Sequence, residues 1–354
     1  MRRLDEIPHY LRIAESNAEV AASLLEVAEA RDYRSLQYVF GTTGRSLIGG
    51  DLLIDTASLR SVSAEEVREA SVGEAARIAD VARAAEADVI IGCGGGRVLD
   101  VAKHAALQAG KPFLSVPTQA THDGICSPVA VLSDGAGKTQ SLGAAGPVGI
   151  VVPAHVVASA PRACLVSGVA DLASNILAVA DWRWAHRFAG ESFDDYAALL
   201  AETGAQLLLA RRAMFAPERD FTSEEVELLV RGLVLSGLAM TLAGTTRPCS
   251  GSEHLLSHAF DALGLGHGTH GEQVAVGCSL AVRMYEEADV CGVIELLRAV
   301  GAPLTPAEIG ISFDDALRAL EVAPSVRPGR LTRLTGALEV DPDHVEQLAQ
   351  EVWR

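Results

Sequence analysis

With 354 residues the chain is long enough for two domains that each bury a core. A formal charge of −17 excludes nucleic acid as the expected partner, because phosphate backbones reward basic surfaces. Apolar residues make up 49%, yet no uninterrupted apolar run is long enough to cross a bilayer, and Met1-Arg2-Arg3-Leu4-Asp5-Glu6 turns charged before a secretory core forms.

The first 160 residues alternate strand-like and helix-like patterns. Gln37 to Phe40 reads as a short apolar strand ending in Gly41-Thr42-Thr43-Gly44. Ala64 to Ala70 and Gly73 to Ala87 read as helices. Asp88-Val89-Ile90-Ile91-Gly92 has the continuous apolar character of a strand buried in a parallel sheet. A helix from Val98 to Ala109 and a strand from Phe113 to Pro117 follow. This order predicts an α/β N-terminal domain with an open, mostly parallel sheet, over residues 1–160. Beyond Pro161 strand signals nearly vanish. Leu165 to Ala189, Ser192 to Phe215, Ser223 to Ala243, His254 to Leu263, Val274 to Glu287 and Val293 to Val300 are helical in period. Pro324 to Gly336 reads as a loop and Pro342 to Trp353 as a closing helix. Residues 161–354 are therefore expected to form an all-helical C-terminal domain.

Three stretches carry chemistry. Gly92-Cys93-Gly94-Gly95-Gly96-Arg97 lies between a strand and a helix, where missing Cβ atoms and a helix N-terminus suit a dinucleotide's diphosphate, or simply a tight turn. Arg97 stands where the usual glycine fingerprint has its third glycine. Asp100 and Lys103, further along that helix, read as structural. Pro117 to Pro128 follows the C-terminal end of a strand, where α/β sheets bind ligands. Its Thr118, Asp123 and Ser127 are candidate site residues, although Asp-Gly and Ser-Pro are also ordinary turn formers. His254 and His258 stand one helical turn apart, with His267 and His270 shortly after. Two such histidines and a carboxylate give a three-ligand divalent metal site with one position open. Asp171, in an apolar helix, is the best carboxylate candidate, since an unpartnered buried charge is costly. The six cysteines (Cys93, Cys126, Cys164, Cys249, Cys278, Cys291) contain no CxxC pair and read as reduced thiols of a cytoplasmic protein.

Together these stretches resemble the iron-containing alcohol dehydrogenase and glycerol dehydrogenase superfamily, and within it the sn-glycerol-1-phosphate dehydrogenases. The likeness runs from about residue 88 to about 335. It rests on Gly94 to Lys103, Pro117 to Pro128, Gly168 to Trp182, Arg247 to His254, His270 to Gln273, and Arg327-Pro328-Gly329-Arg330-Leu331-Thr332, where leucine replaces the family's tyrosine.

The resemblance implies a metal-dependent NAD(P)-linked dehydrogenase that reduces dihydroxyacetone phosphate to sn-glycerol 1-phosphate. By it, Asp171, His254 and His270 would ligate the metal. Gly94, Gly95 and Gly96 would hold the cofactor diphosphate, with Thr118 and Ser127 lining that site. Asp123 would lie near the substrate hydroxyl and nicotinamide. Asn175 replaces the fourth-ligand histidine of the long-chain iron enzymes, which favours a three-ligand zinc-type site with Asn175 free for substrate; nickel and iron share such ligands. His258 shares a helical face with His254 and is a candidate for substrate positioning or proton relay; His267 reads as a loop residue. Arg247, Arg327 and Arg330 are candidate phosphate donors or surface residues. No acid follows the first strand, so NADH and NADPH are both expected cofactors. A small phosphorylated substrate and a homo-oligomer are expected. The rivals are another polyol, phosphonate or cyclitol substrate, a cyclase like 3-dehydroquinate synthase, and a sensor that has lost catalysis. The sister synthases carry Glu at the Asp171 position, so the aspartate favours a dehydrogenase.

Overall fold

The computed structural model describes residues 7–52, 59–135, 139–216, 219–265, 268–285, 290 and 292–354. Met1 to Glu6, His267, Cys291 and the expected helix end at Glu287 lie outside them. The chain forms two compact units, Met1–Ala160 with Thr222–Glu227, and Pro161–Phe221 with Leu228–Arg354.

The first unit is built on a six-stranded sheet whose paired neighbours are all parallel. Its strands are β1 (Leu11–Ala14), β2 (Ser35–Phe40), β3 (Ser61–Glu66), β4 (Val89–Gly94), β5 (Phe113–Pro117) and β8 (Pro147–Pro153), in the order β1-β8-β5-β4-β2-β3. Every residue of β2, β4, β5 and β8 is buried, which is why β4 reads as a continuous apolar run without alternation. Helices α1 (Asn17–Ala30) and α2 (Val72–Ala84) start at Ser16 and Ser71, whose side chains accept from the backbone N–H of Glu19 and Glu74. Helix α3 (Gly96–Ala109) links β4 to β5, and β6 (Val129–Ser133) and β7 (Thr139–Gly143) form a separate antiparallel hairpin. The glycine turn thus follows the C-terminal end of β4, next to the ends of β2 and β5. Parallel sheets bind ligands at such strand ends.

Ala64 to Ala70 is a correction. Residues 61–66 are the edge strand β3, paired in register with β2, and Val62 and Ala64 pack on the core. Alanine and glutamate favour helix locally, but pairing with an already buried strand outweighs that preference.

The second unit contains only helices and turns among its described residues. Helix α4 (Ala154–Ala158) closes the first unit. Then come α5 (Arg162–Ala189), α6 (Asp195–Ala210), α7 (Ser223–Ala243, in the second unit from Leu228), α8 (Ser252–Ala262), α9 (His270–Ala281), α10 (Val293–Val300), α11 (Phe313–Val326), α12 (Arg333–Val340) and α13 (Pro342–Trp353). The loop expected from Pro324 to Gly336 shrinks to residues 327–332. Pro324 sits in the last turn of α11, where it gives up one intrahelical N–H bond close to the helix end, and Thr332 caps α12.

Two helices, α5 and α7, are long and apolar enough to cross a membrane by length and composition, against the expectation of no such segment. In α5, 89% of that apolar window is buried within the protein, and it includes Asp171, Ser174 and Asn175 among its buried residues.

Glycines set the closest helix approaches. A Cβ on Gly271 would stand 1.9 Å from the Ser167 carbonyl oxygen, and one on Gly277 would stand 2.5 Å from that of Glu253. Helix α9 therefore lies against both α5 and α8, at the level where each carries a candidate ligand.

Candidate active site

Asp171 of α5, His254 of α8 and His270 of α9 converge. Asp171 Oδ1 lies 3.4 Å from His254 Nε2 and 3.5 Å from His270 Nε2, and one ligand atom from each residue falls within 4.8 Å of the others. A tetrahedral ion with bonds of about 2.1 Å separates its ligand atoms by about 3.4 Å, which both carboxylate–imidazole separations match. Asp171 and His254 are 3% and 6% exposed.

The second nitrogen of each ligand histidine is already engaged. His254 Nδ1 lies 2.8 Å from Glu253 Oε1. His270 Nδ1 lies 3.3 Å from Ser257 Oγ, whose hydroxyl donates to Gln273 Oε1 at 2.8 Å, while Gln273 Nε2 donates to Asp261. Each ring thus spends Nδ1 on the protein and turns Nε2 toward Asp171, the orientation that metal ligation requires. Burial opposes charge on both Asp171 and His254. Hydrogen bonds to the two histidines nevertheless hold Asp171 well below the usual carboxylate range, and those to Asp171 and Glu253 raise His254 to about 9.

His258 stands beside this centre, its ring 6.3 Å from that of His254 and 6.2 Å from that of His270. Arg327 donates from Nη2 to His258 Nε2 at 3.2 Å. Burial, reinforced by the positive charge of Arg327, pushes the imidazole well below its usual range, so the ring is neutral.

Arg327 in turn lines a pocket of about 380 Å³ with Glu191, Thr245, Arg247, Pro328, Gly329 and Arg330. Arg247 is 3% exposed; its Nε and Nη2 grip the Glu191 carboxylate, Nη2 also reaches the Leu331 carbonyl at 2.8 Å, and Nη1 is buried without a partner among the described residues. Arg330 donates to the Ser250 carbonyl at 2.5 Å and to Thr246 Oγ1 at 2.7 Å. Burial first, then the positive charges of Arg327 and Arg247, lower Arg330 to about 9 against the opposing pull of Glu191 and Glu253. Asn175, one turn after Asp171, is 1% exposed and commits its amide hydrogens to the Ala201 carbonyl and Ser236 Oγ.

In the first unit, Gly95 caps α3 with no side-chain acceptor, and no acid occupies the first turn, so the helix N-terminus is electrostatically open to an anion. The space that Cβ atoms would fill is taken by the second loop: Gln119 Oε1 would be 2.6 Å from a Cβ on Gly95, and His122 Nε2 would be 2.5 Å from one on Gly96. Thr118 N–H donates to the Gly94 carbonyl at 3.0 Å. Asp123 opens a short turn in which its carbonyl accepts from Cys126 and Ser127, and Thr118 and Ser127 are buried. Lys103, fully buried, pairs with Asp100 at 2.9 Å and donates to the carbonyls of Gly124 and Ser127 at 3.0 and 3.4 Å. Asp100 also accepts from Val131 N–H at 3.0 Å. The structural reading of this pair thus gains content: it moors the second loop behind the glycine turn.

Sequence reasoning overlooked Gln119, His122, Glu253 and Glu191. Glu253 had a signal, an acid directly before a ligand histidine. Glu191 had none, because 56 positions separate it from Arg247.

A family model described as iron-containing alcohol dehydrogenase matches residues 13–161. The glycerol-1-phosphate dehydrogenase [NAD(P)+] of Methanosphaerula palustris is 37% identical over 305 residues, covering 86% of this chain and 81% of that one. Its counterpart from Pyrococcus furiosus is 35% identical over 316 residues, covering 89% and 90%. Among solved structures, glycerol dehydrogenase from Schizosaccharomyces pombe superposes with a TM-score of 0.73 at 20% identity, covering 97% of this chain and 90% of that one.

Proposed function

The chain belongs to the glycerol-1-phosphate dehydrogenase family of iron-containing alcohol dehydrogenases and is a metal-dependent, NAD(P)-linked enzyme; we propose that its reaction reduces dihydroxyacetone phosphate to sn-glycerol 1-phosphate. One observation carries the choice of substrate. The arginine pocket begins one imidazole away from the ligand cluster, through the Arg327–His258 hydrogen bond. Three guanidinium groups and one carboxylate, Glu191, line that pocket, and planar guanidinium donors suit the geometry of a phosphate dianion.

In this reading Asp171, His254 and His270 hold one divalent ion, for which zinc is our choice. The bound ion supplies electrophilic polarisation of a carbonyl and stabilises the alkoxide charge. Arg327, Arg330 and the unspent Nη1 of Arg247 bind the phosphate, with Arg247 contributing least because Glu191 already neutralises it. His258, its Nε2 lone pair taken by Arg327, positions that guanidinium, and only its Nδ1 remains for proton relay. Asn175 would meet a substrate hydroxyl through its carbonyl oxygen alone, because its hydrogens are spent. Gly94, Gly95 and Gly96, with the open end of α3, hold the cofactor diphosphate, Thr118 and Ser127 line that site, and Asp123 lies toward the nicotinamide. NADH and NADPH both serve as hydride donors. A homo-oligomer is supported by Tyr196, Leu199 and Leu207, apolar and exposed along one face of α6. A cytoplasmic setting is supported by five described cysteines that are all free.

The test is Arg330→Met. Hydrogen bonds to charged groups contribute about 1.5–3 kcal/mol, so KM for dihydroxyacetone phosphate should rise roughly ten- to hundredfold while KM for dihydroxyacetone stays unchanged. An equal rise for both ketones would remove the pocket from phosphate recognition.

A further inference from the structure

The Ser250–Glu253 segment is tied on every side by buried polar groups. Glu253 is fully buried, and its Oε1 accepts from the Gly251 N–H at 2.7 Å as well as facing His254 Nδ1 at 2.8 Å. Its Oε2 is buried with no hydrogen-bond partner among the described residues. Asp181, also fully buried, accepts from Ser252 N–H and Arg333 N–H, both at 2.6 Å, and so ties the N-terminus of α8 to that of α12. The two carboxylates meet at Gly251, where a Cβ would stand 2.6 Å from Asp181 Oδ2 and 3.0 Å from Glu253 Oε2.

Two buried carboxylates side by side are costly, and backbone N–H groups at a helix start would be satisfied by one of them. Asp181 takes the Ser252 and Arg333 N–H groups and Glu253 the Gly251 N–H. Of the two carboxylates only Glu253 also touches a ligand ring.

We propose that Glu253 is a positioning residue for the metal ligand His254, fixing its proton on Nδ1 and its ring plane so that Nε2 meets the ion. This rests on the assignment of Asp171, His254 and His270 as ligands. A carboxylate behind a ligand imidazole also raises its basicity, which strengthens the Nε2–metal bond. Glu253 is not one of the three residues whose ligand atoms converge, so its role is exerted through His254.

The test compares zinc dissociation constants, measured by chelator competition, for the wild-type protein, Glu253→Leu, Glu253→Gln, Asp181→Asn and His254→Ala. Glu253→Leu should weaken zinc binding roughly ten- to hundredfold, the usual effect of losing such a partner. Glu253→Gln keeps an acceptor for Nδ1–H and should recover to within about threefold of wild type. Asp181→Asn should lower thermal stability and leave zinc affinity near wild type. In the zinc-loaded wild type, histidine-labelled nitrogen–proton spectra should show an exchange-protected His254 Nδ1–H that moves upfield in Glu253→Gln; this readout stands even where Glu253→Leu does not fold. Unchanged zinc affinity in Glu253→Leu, equal weakening in Asp181→Asn, or no protected Nδ1–H in the wild type would overturn the proposal. His254→Ala separates the two levels: zinc retained there refutes the ligand set itself, whereas zinc lost there but kept in Glu253→Leu refutes only the role of Glu253.

Discussion

Asp171 and His254 hold each other charged when no ion lies between them, and that has a pH consequence. His254 rises from 6.5 to about 9: burial works against it, but its bonds to Asp171 and Glu253 prevail. A raised histidine stabilises the fold fully below about pH 6.5, and that contribution is lost as pH rises through about 9. Metal loading must displace the same proton. At pH 7 zinc binding should therefore release about one proton, and zinc affinity should climb with pH until about 9. Calorimetry in buffers of different ionisation enthalpy counts that proton; a count near zero at pH 7 would contradict the His254–Asp171 pairing. His254→Ala and His270→Ala should each lose metal and activity together, and a metallated, active variant of either would sink the ligand set. The candidate trio came from the sequence through the family resemblance; spacing alone left His254, His258, His267 and His270 open, and it is folding that brings Asp171, His254 and His270 together. The arginines were legible only as candidates. Which of them is spent on Glu191 depends on a contact made through folding alone.

The helices bring those residues together through glycine. His270 reaches Asp171 because Gly271 lets the start of α9 press against the Ser167 carbonyl, and Gly277 does the same against Glu253. Gly271→Ala would force a Cβ to 1.9 Å from that oxygen, so α9 must shift. The expected result is weakened zinc binding, by roughly tenfold or more, and a lower melting temperature, with cofactor affinity unchanged because the glycine turn lies in the other unit. Wild-type zinc affinity in that variant would show that the close approach does not place His270. Elements were legible where a sustained apolar run is bounded by turn residues and its length separates strand from helix, as in β4 and α5. They were not where context decides. β3 carries helix formers but pairs with β2, and Pro324 falls in a last helical turn that a rule of thumb ends too early. Strands β1 and β8 went unread, although β8 pairs with both β1 and β5. Its Pro147, Gly149 and Pro153 read as breakers.

At the scale of the molecule, fold and chemistry separate. Structures at 14–22% identity share this architecture, and they include a maleylacetate reductase and a sulfoacetaldehyde reductase, so the architecture does not name a substrate. The net charge of −17 also points away from an anionic ligand, yet a field screened over about 8 Å is easily outweighed by the local arginines. The central claim is that these arginines select a phosphate ester for reduction at the adjoining metal centre. The most direct measurement is NADH and NADPH oxidation by zinc-reconstituted protein, with dihydroxyacetone phosphate and dihydroxyacetone compared at equal concentration. The account predicts kcat/KM at least about a hundredfold higher for the phosphate ester, the equivalent of a few kcal/mol of charge-assisted hydrogen bonding. Equal turnover of the two ketones, or preference for the unphosphorylated one, would contradict it.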